Sequence, residues 1–122
     1  ATSFEASRFA LKNNQNIYWI VGGQPKIGDK FSLREINKNI IKAYIIGNHT
    51  NFFVKKIRNK IKYEVTKNLK VTVNKIFRFI KNKQKLIILF SPASASYDQF
   101  KNFVERGEKF KNYVKYNAEK FN

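Results

Sequence analysis

The residues best suited to chemistry lie in one stretch, Ser91-Pro92-Ala93-Ser94-Ala95-Ser96-Tyr97-Asp98-Gln99-Phe100-Lys101-Asn102-Phe103. Ser96 and Gln99 have the spacing of a capping box, in which a serine oxygen accepts a backbone N–H at the start of a helix. A helix opening there presents the free N–H groups of Tyr97, Asp98 and Gln99, and such a terminus favours anions. A capping serine oxygen accepts from the backbone while its own proton stays available to donate. The chemistry is therefore the fixing of an anion by a hydroxyl and backbone donors. The plainer reading of Ser96, a helix cap alone, is compatible with it.

The elements that position this stretch can be read outward from it. Leu86 to Phe90 is an uninterrupted apolar run, which suits a strand buried on both faces of a parallel sheet spanning Lys85 to Phe90. Ser91-Pro92 stops it, because proline donates nothing to a ladder. Upstream, Ser3 caps a first helix whose loose stripe is Phe4, Ala6 or Ser7, Ala10 and Leu11, ending at Asn13 to Asn16. Ile17 to Val21 reads as a buried strand, and Gly22-Gly23 lets the chain turn sharply. A short helix is expected from Phe31 to Asn37 and a strand from Ile40 to Ile46. A helix from Phe52 to Asn59 follows, capped by Thr50 or Asn51. Lys62 to Val65 is a brief strand suited to a sheet edge. Leu69 to Asn82 carries Val73, Ile76, Phe77 and Ile80 at helical spacing. After the Lys85–Phe90 strand, a last helix carries Phe100, Phe103, Val104, Phe110, Tyr113 and Val114, with a break near Gly107.

Strands and helices alternating at this spacing predict an α/β fold. The expectation is a Rossmann-like, three-layer domain with a mainly parallel sheet of about four strands and helices on both faces. The loops after the strands then share one edge, where open α/β sheets bind ligands. The loop Gly22-Gly23-Gln24-Pro25-Lys26-Ile27-Gly28-Asp29 falls there. It has neither phosphate-loop nor dinucleotide-fingerprint spacing. Lys26 is its candidate ligand contact, the alternative being a turn that only positions its neighbours. His49, the single histidine, has no Cys, His or acidic cluster beside it in sequence and reads as an exposed loop residue. Neither a catalytic residue nor a metal ligand is assigned.

The chain has 122 residues, sufficient for one domain and one core, and no cysteine, which rules out disulfides and thiolate metal sites. No apolar run approaches a membrane span and no signal peptide is recognisable, so a cytoplasmic protein without membrane attachment is expected. The net charge of +17 invites a nucleic-acid reading. The lysines, however, are scattered over the chain, and arginine, the better phosphate and base reader, is scarce beside them. They read mostly as a solvated face, and specific nucleic-acid binding is not expected. The opening Ala1-Thr2-Ser3, without methionine, suggests a fragment or a processed chain.

From Ser91 to Phe110 the sequence resembles the pattern S-P-A-x-A-S-x-D-Q-F-x-x-F-x-x-R-G-x-x-F of the Mur ligase family, in its D-glutamate-adding branch. Every fixed position is met, and Ser94 stands where cysteine is common. The Gly22–Asp29 loop resembles the family turn G-G-x-x-K-G-x-D, with Ile27-Gly28 displacing the second glycine and Pro25 where an acidic residue is frequent. Ala1-Thr2 resembles the end of D-S-K-A-T. The resemblance covers essentially the whole chain. It implies residues 1–122 are the C-terminal, D-glutamate-binding domain of an ATP-dependent ligase of peptidoglycan synthesis, lacking the family domain's opening strands.

In that family, ATP phosphorylates the carboxylate of UDP-N-acetylmuramoyl-L-alanine, and the amine of D-glutamate displaces the phosphate. The resemblance implies that Ser96 hydrogen-bonds the incoming carboxylate, with Phe103 beside it and Tyr97 lining the same pocket. ATP, magnesium and the UDP sugar would be held mainly by domains absent from this chain. The isolated chain would be an inactive monomer. A sister Mur ligase or folylpolyglutamate synthase would share the fold, but the Asp98-Gln99-Phe100-Lys101-Asn102-Phe103 run argues against them. A basic RNA-binding module would leave that run unexplained.

Overall fold

A computed structural model describes residues 4–23, 32–79, 87–90, 111 and 114–115. Its elements are α1 (Phe4–Lys12), β1 (Ile17–Gly22), β2 (Ile40–Ile46), α2 (Thr50–Ile57), β3 (Tyr63–Lys67), α3 (Leu69–Phe79) and β4 (Ile87–Phe90). The strands form one sheet in the order β3-β2-β1-β4, and every pairing is parallel. Two layers of side chains cover it. Leu11 of α1 with Phe53 and Ile57 of α2 pack on Ile17, Trp19, Val21, Ala43 and Ile45. On the opposite face, Leu69, Val73 and Ile76 of α3 pack on Ile20, Tyr44 and Ile46, joined by Val114. The alternation of strand residues between two cores explains why β1 and β2 are apolar almost throughout. The expected three-layer, parallel Rossmann-like fold is the observed one.

Several boundaries differ from the sequence expectation. No helix forms at residues 32–37; the chain makes a turn over Arg34–Ile36 and a 3₁₀ turn at Asn37–Asn39. Glu35 has a φ of 70°, which no helix tolerates, so Leu33 and Ile36 reach the core from a turn instead. The α2 helix starts at Thr50 with His49 as its cap residue. No side-chain cap bond forms there, so neither Thr50 nor Asn51 caps it. It stops at Ile57, and Asn59, at φ 69°, lies beyond it in the left-handed region that asparagine accepts. The strand β4 contributes to both faces as expected, but its residues are only partly buried or exposed. It pairs with β1 along one edge, Leu89 meeting one core while Ile88 and Phe90 meet the other. The expected cap at Ser3, the extension of α3 to Asn82, and residues 85–86 lie outside the described residues.

Side-chain bonds across long stretches of sequence fasten the layers. The buried Asn39 amide donates to the carbonyls of Leu11 and Lys12, at 3.0 and 3.4 Å, satisfying the end of α1. Asn68 accepts from the Val71 N–H at 2.9 Å and opens α3, where its type is favoured. Glu64 of β3 pairs with Lys42 of β2 at 2.9 Å and with Lys75 of α3, tying two strands to the covering helix. The Lys42 ammonium also lies 4.9 Å from the Tyr44 ring centre. The Tyr44 hydroxyl is buried without a hydrogen-bond partner. Burial, and then the Glu64 charge, push its pKa up to about 12.

Hydrogen bonds from Lys75, then Lys42, hold the Glu64 carboxyl below its ordinary value. A carboxylate with a depressed folded pKa stabilises fully above its unfolded value near 4.5, and that stabilisation is lost as pH falls through the folded value. Glu64→Gln is therefore expected to lower stability at pH 7 by roughly 1 kcal/mol, with the difference from wild type shrinking on acidification. Denaturant titrations from neutral to acidic pH measure this. Tyr44→Phe removes the unpartnered hydroxyl and keeps the ring beneath Lys42. It should be neutral or stabilising by up to about 1 kcal/mol in the same titration.

Candidate functional site

The strand order sets the site. From β1 the chain moves outward to β2 and β3 along one face, through Leu33, Ile36 and α2. It then returns over the other face through α3 and adds β4 on the far side of β1. Consecutive crossovers thus diverge between β1 and β4. In open parallel sheets a crevice opens at such a point, outside the carboxyl ends of the strands. Pairing of Trp19 with Leu89 and of Ile20 with Phe90 brings the ends of β1 and β4 side by side. The carboxyl ends of β1, at Gly22, and of β4, at Phe90, far apart in sequence, therefore lie at the same edge of the sheet.

Geometry at this edge is tightly constrained at Gly22. A Cβ on Gly22 would stand 2.1 Å from the Ile46 carbonyl oxygen, a backbone atom that no rotamer change can move. Gly23 and Gly47, which follow β1 and β2, have φ values of 97° and 91°, in the region that favours glycine. Lys67, at the end of β3, occupies it at φ 66°, and its carbonyl accepts the Gly47 N–H at 2.9 Å. His49 is exposed at the same edge.

The return stem of the β1–β2 connection is held from α1. The Arg8 guanidinium donates to the Ser32 carbonyl at 3.0 Å and to the Arg34 carbonyl at 3.1 Å. Neither this bond pair nor the Asn39 amide was visible in local sequence pattern, since both join segments more than twenty residues apart. Lys26, Ser96, Tyr97 and Phe103 lie outside the described residues. What the structure supplies is the adjacency of the strand ends from which their segments depart. Among the described residues no group of three or more His, Cys, Asp or Glu could hold a metal ion. No helix among them is long and apolar enough to cross a membrane.

Gly22→Ala is expected to destabilise by about 3 kcal/mol, because the added methyl must displace backbone rather than a side-chain end. Equilibrium unfolding of the variant checks it. A loss below about 1 kcal/mol would mean the strand ends are not packed as described.

No protein-family model matches the chain. Similarity to individual proteins is extensive. The chain is 45% identical over 111 residues to the UDP-N-acetylmuramoylalanine–D-glutamate ligase of Wolbachia sp. subsp. Brugia malayi, covering 90% of this chain and 22% of that protein. It is 40% identical over 116 residues to the ligase of the same name from Bartonella henselae, and 39% over 117 residues to that of Chelativorans sp.. In both cases about a quarter of the relative's length is covered. The resemblance carried by Ser91 to Phe110 thus extends along nearly the whole chain: it is homologous to a portion, about a quarter of the length, of the UDP-N-acetylmuramoylalanine–D-glutamate ligases.

Proposed function

We propose that this chain is the D-glutamate-holding domain of an ATP-dependent ligase that joins D-glutamate to UDP-N-acetylmuramoyl-L-alanine in peptidoglycan synthesis. The observation that carries the reading is 45% identity over 90% of the chain to a ligase of that name. ATP, magnesium and the UDP sugar are assigned to the rest of the enzyme, which would be cytoplasmic and monomeric. The chain by itself would form no product.

On this reading Ser96 donates to the carboxylate of D-glutamate, the helix that it opens adds backbone donors, and Tyr97 and Phe103 shape the pocket. Lys26, from the loop leaving the neighbouring strand, supplies a positive charge to the same ligand. Fixing a carboxylate in this way raises the effective concentration of the amine at the activated acyl group without any proton transfer by this domain. The charge of +17 serves solubility and general attraction for anions rather than sequence-specific nucleic-acid binding.

Replacing Ser96 in the intact ligase separates anchoring from capping. Ser96→Ala removes a hydrogen bond to a charged group, worth roughly 1.5–3 kcal/mol, and a cap worth about 1 kcal/mol. The KM for D-glutamate should rise by about tenfold or more, with little change for ATP, and the melting temperature should fall modestly. Ser96→Gly, a tolerable cap without a hydroxyl, should recover stability but not affinity. Recovery of both would reduce the serine to a cap and remove this site assignment.

A further inference from the structure

The strand β3 ends the sheet on the side away from β4, and its outer edge meets no other described strand. The Ala43 N–H donates to the Lys62 carbonyl at 2.9 Å, so residue 62 turns its backbone oxygen toward β2. Backbone polar groups alternate in direction along a strand, and those of Tyr63 and Val65 therefore face the open side. The side chains of these two residues share the face of Ala43 and Ile45, their partners in register. They remain 38% and 37% exposed there. One short stretch thus offers outward backbone donors and acceptors together with two incompletely covered apolar side chains.

The charge around this edge has one sign. Arg58, Lys60 and Lys62 are exposed between α2 and β3, and Lys70 is exposed in the first turn of α3 just beyond. Between Glu35 and Asp98 the sequence contains a single acid, Glu64, whose carboxylate is held by Lys42 and Lys75. The described part of this edge is therefore net positive. Lysines beside an open edge repel a like-charged strand, which argues against a second copy of this chain. They favour a strand that carries acids. The chain itself, with eight acids against 25 lysines and arginines, has no acidic run to supply one.

Position selects the source. The strand β3 lies two strands from β1, roughly 10 Å, on the side opposite β4. Anything seated on its outer edge leaves clear the crevice outside β1 and β4, where the rest of a ligase must bring its activated carboxylate. That choice of side rests on the D-glutamate reading.

We propose that the outer edge of β3 is a docking surface for an extended acidic segment of a separate protein, which adds to the sheet as a further strand. Its backbone pairs with Tyr63 and Val65, its apolar side chains cover theirs, and its carboxylates meet Arg58, Lys60, Lys62 and Lys70.

The test is fluorescence anisotropy on the intact ligase with a labelled probe peptide in which glutamate alternates with valine. The probe should bind saturably, and the same peptide fully N-methylated should bind at least about tenfold more weakly, because it has no backbone donors left. Val65→Pro removes one outward donor at an edge position that tolerates proline, and should weaken the probe by roughly tenfold. Lys60→Glu/Lys62→Glu should do the same, and in both variants the KM for D-glutamate and for ATP should stay at the wild-type value. Polyglutamate or a DNA duplex binding as tightly as the probe would reduce the edge to general attraction between charges, and the proposal fails. It also fails if the N-methylated peptide binds equally well, if the probe does not bind the intact ligase, or if it competes with D-glutamate. Should Val65→Pro not fold, the N-methylated peptide on the wild-type enzyme still decides. An unchanged KM for D-glutamate in Ser96→Ala removes the substrate reading alone, and tight probe binding lost on N-methylation then still upholds the docking edge.

Discussion

The structure depends on β1 being paired along both edges at once. Ile17 to Gly22 hydrogen-bonds in parallel to β2 on one side and to β4 on the other. Parallel pairing on both sides commits the strand to two buried faces, so Trp19 and Val21 supply one core while Ile20 supplies the other. A polar residue at any of these positions would be stranded between layers without a partner. Because the sheet is also built outward on both sides of β1, to β2 and β3 first and to β4 after the return through α3, the same strand that fills the cores marks the point where a crevice opens at the carboxyl end.

Much of this was legible in sequence, for a physical reason. A strand buried on both faces must be apolar without interruption, and Ile17–Val21 and Ile40–Ile46 advertise themselves that way. The short edge strand near Tyr63 showed itself by mixed composition, and α3 by its stripe of Val73, Ile76 and Phe77. The segment expected as a helix from Phe31 to Asn37 shows how little local spacing decides: Leu33 and Ile36 have the spacing of a helix face yet residues 34–36 form a turn. A single residue in the left-handed region at Glu35 overrides that spacing and leaves no local trace. The half-exposure of β4 was hidden for another reason: an apolar run does not announce how many neighbours its strand will have.

The candidate site divides along the same line. Its proposed ligand-binding chemistry rests on residue types within a few positions of one another, Ser96 and Gln99 having capping-box spacing. Its supports were not legible that way, because Arg8 and Asn39 act on carbonyls that only tertiary structure brings near. Homology and topology bear on it independently. The similarity to D-glutamate-adding ligases concerns which residues occupy the loops, whereas strand order concerns where those loops must emerge. A parallel sheet alone would accommodate many other ligands at that edge.

The two edges of β1 also differ in how much chain they enclose. Ile17 meets Ile40 on one side and Ile87 on the other, roughly three times as far along the sequence. Loop-closure entropy makes the longer connection costlier by about 1 kcal/mol, before any packing repays it. The β1-β2-β3 unit, with α1 and α2 against it, is therefore built from the shorter-range pairings, and β4 joins by the longest. The crevice between β1 and β4 does not exist without that pairing. The crevice at that edge thus depends on the strand pairing with the longest sequence separation among the described residues.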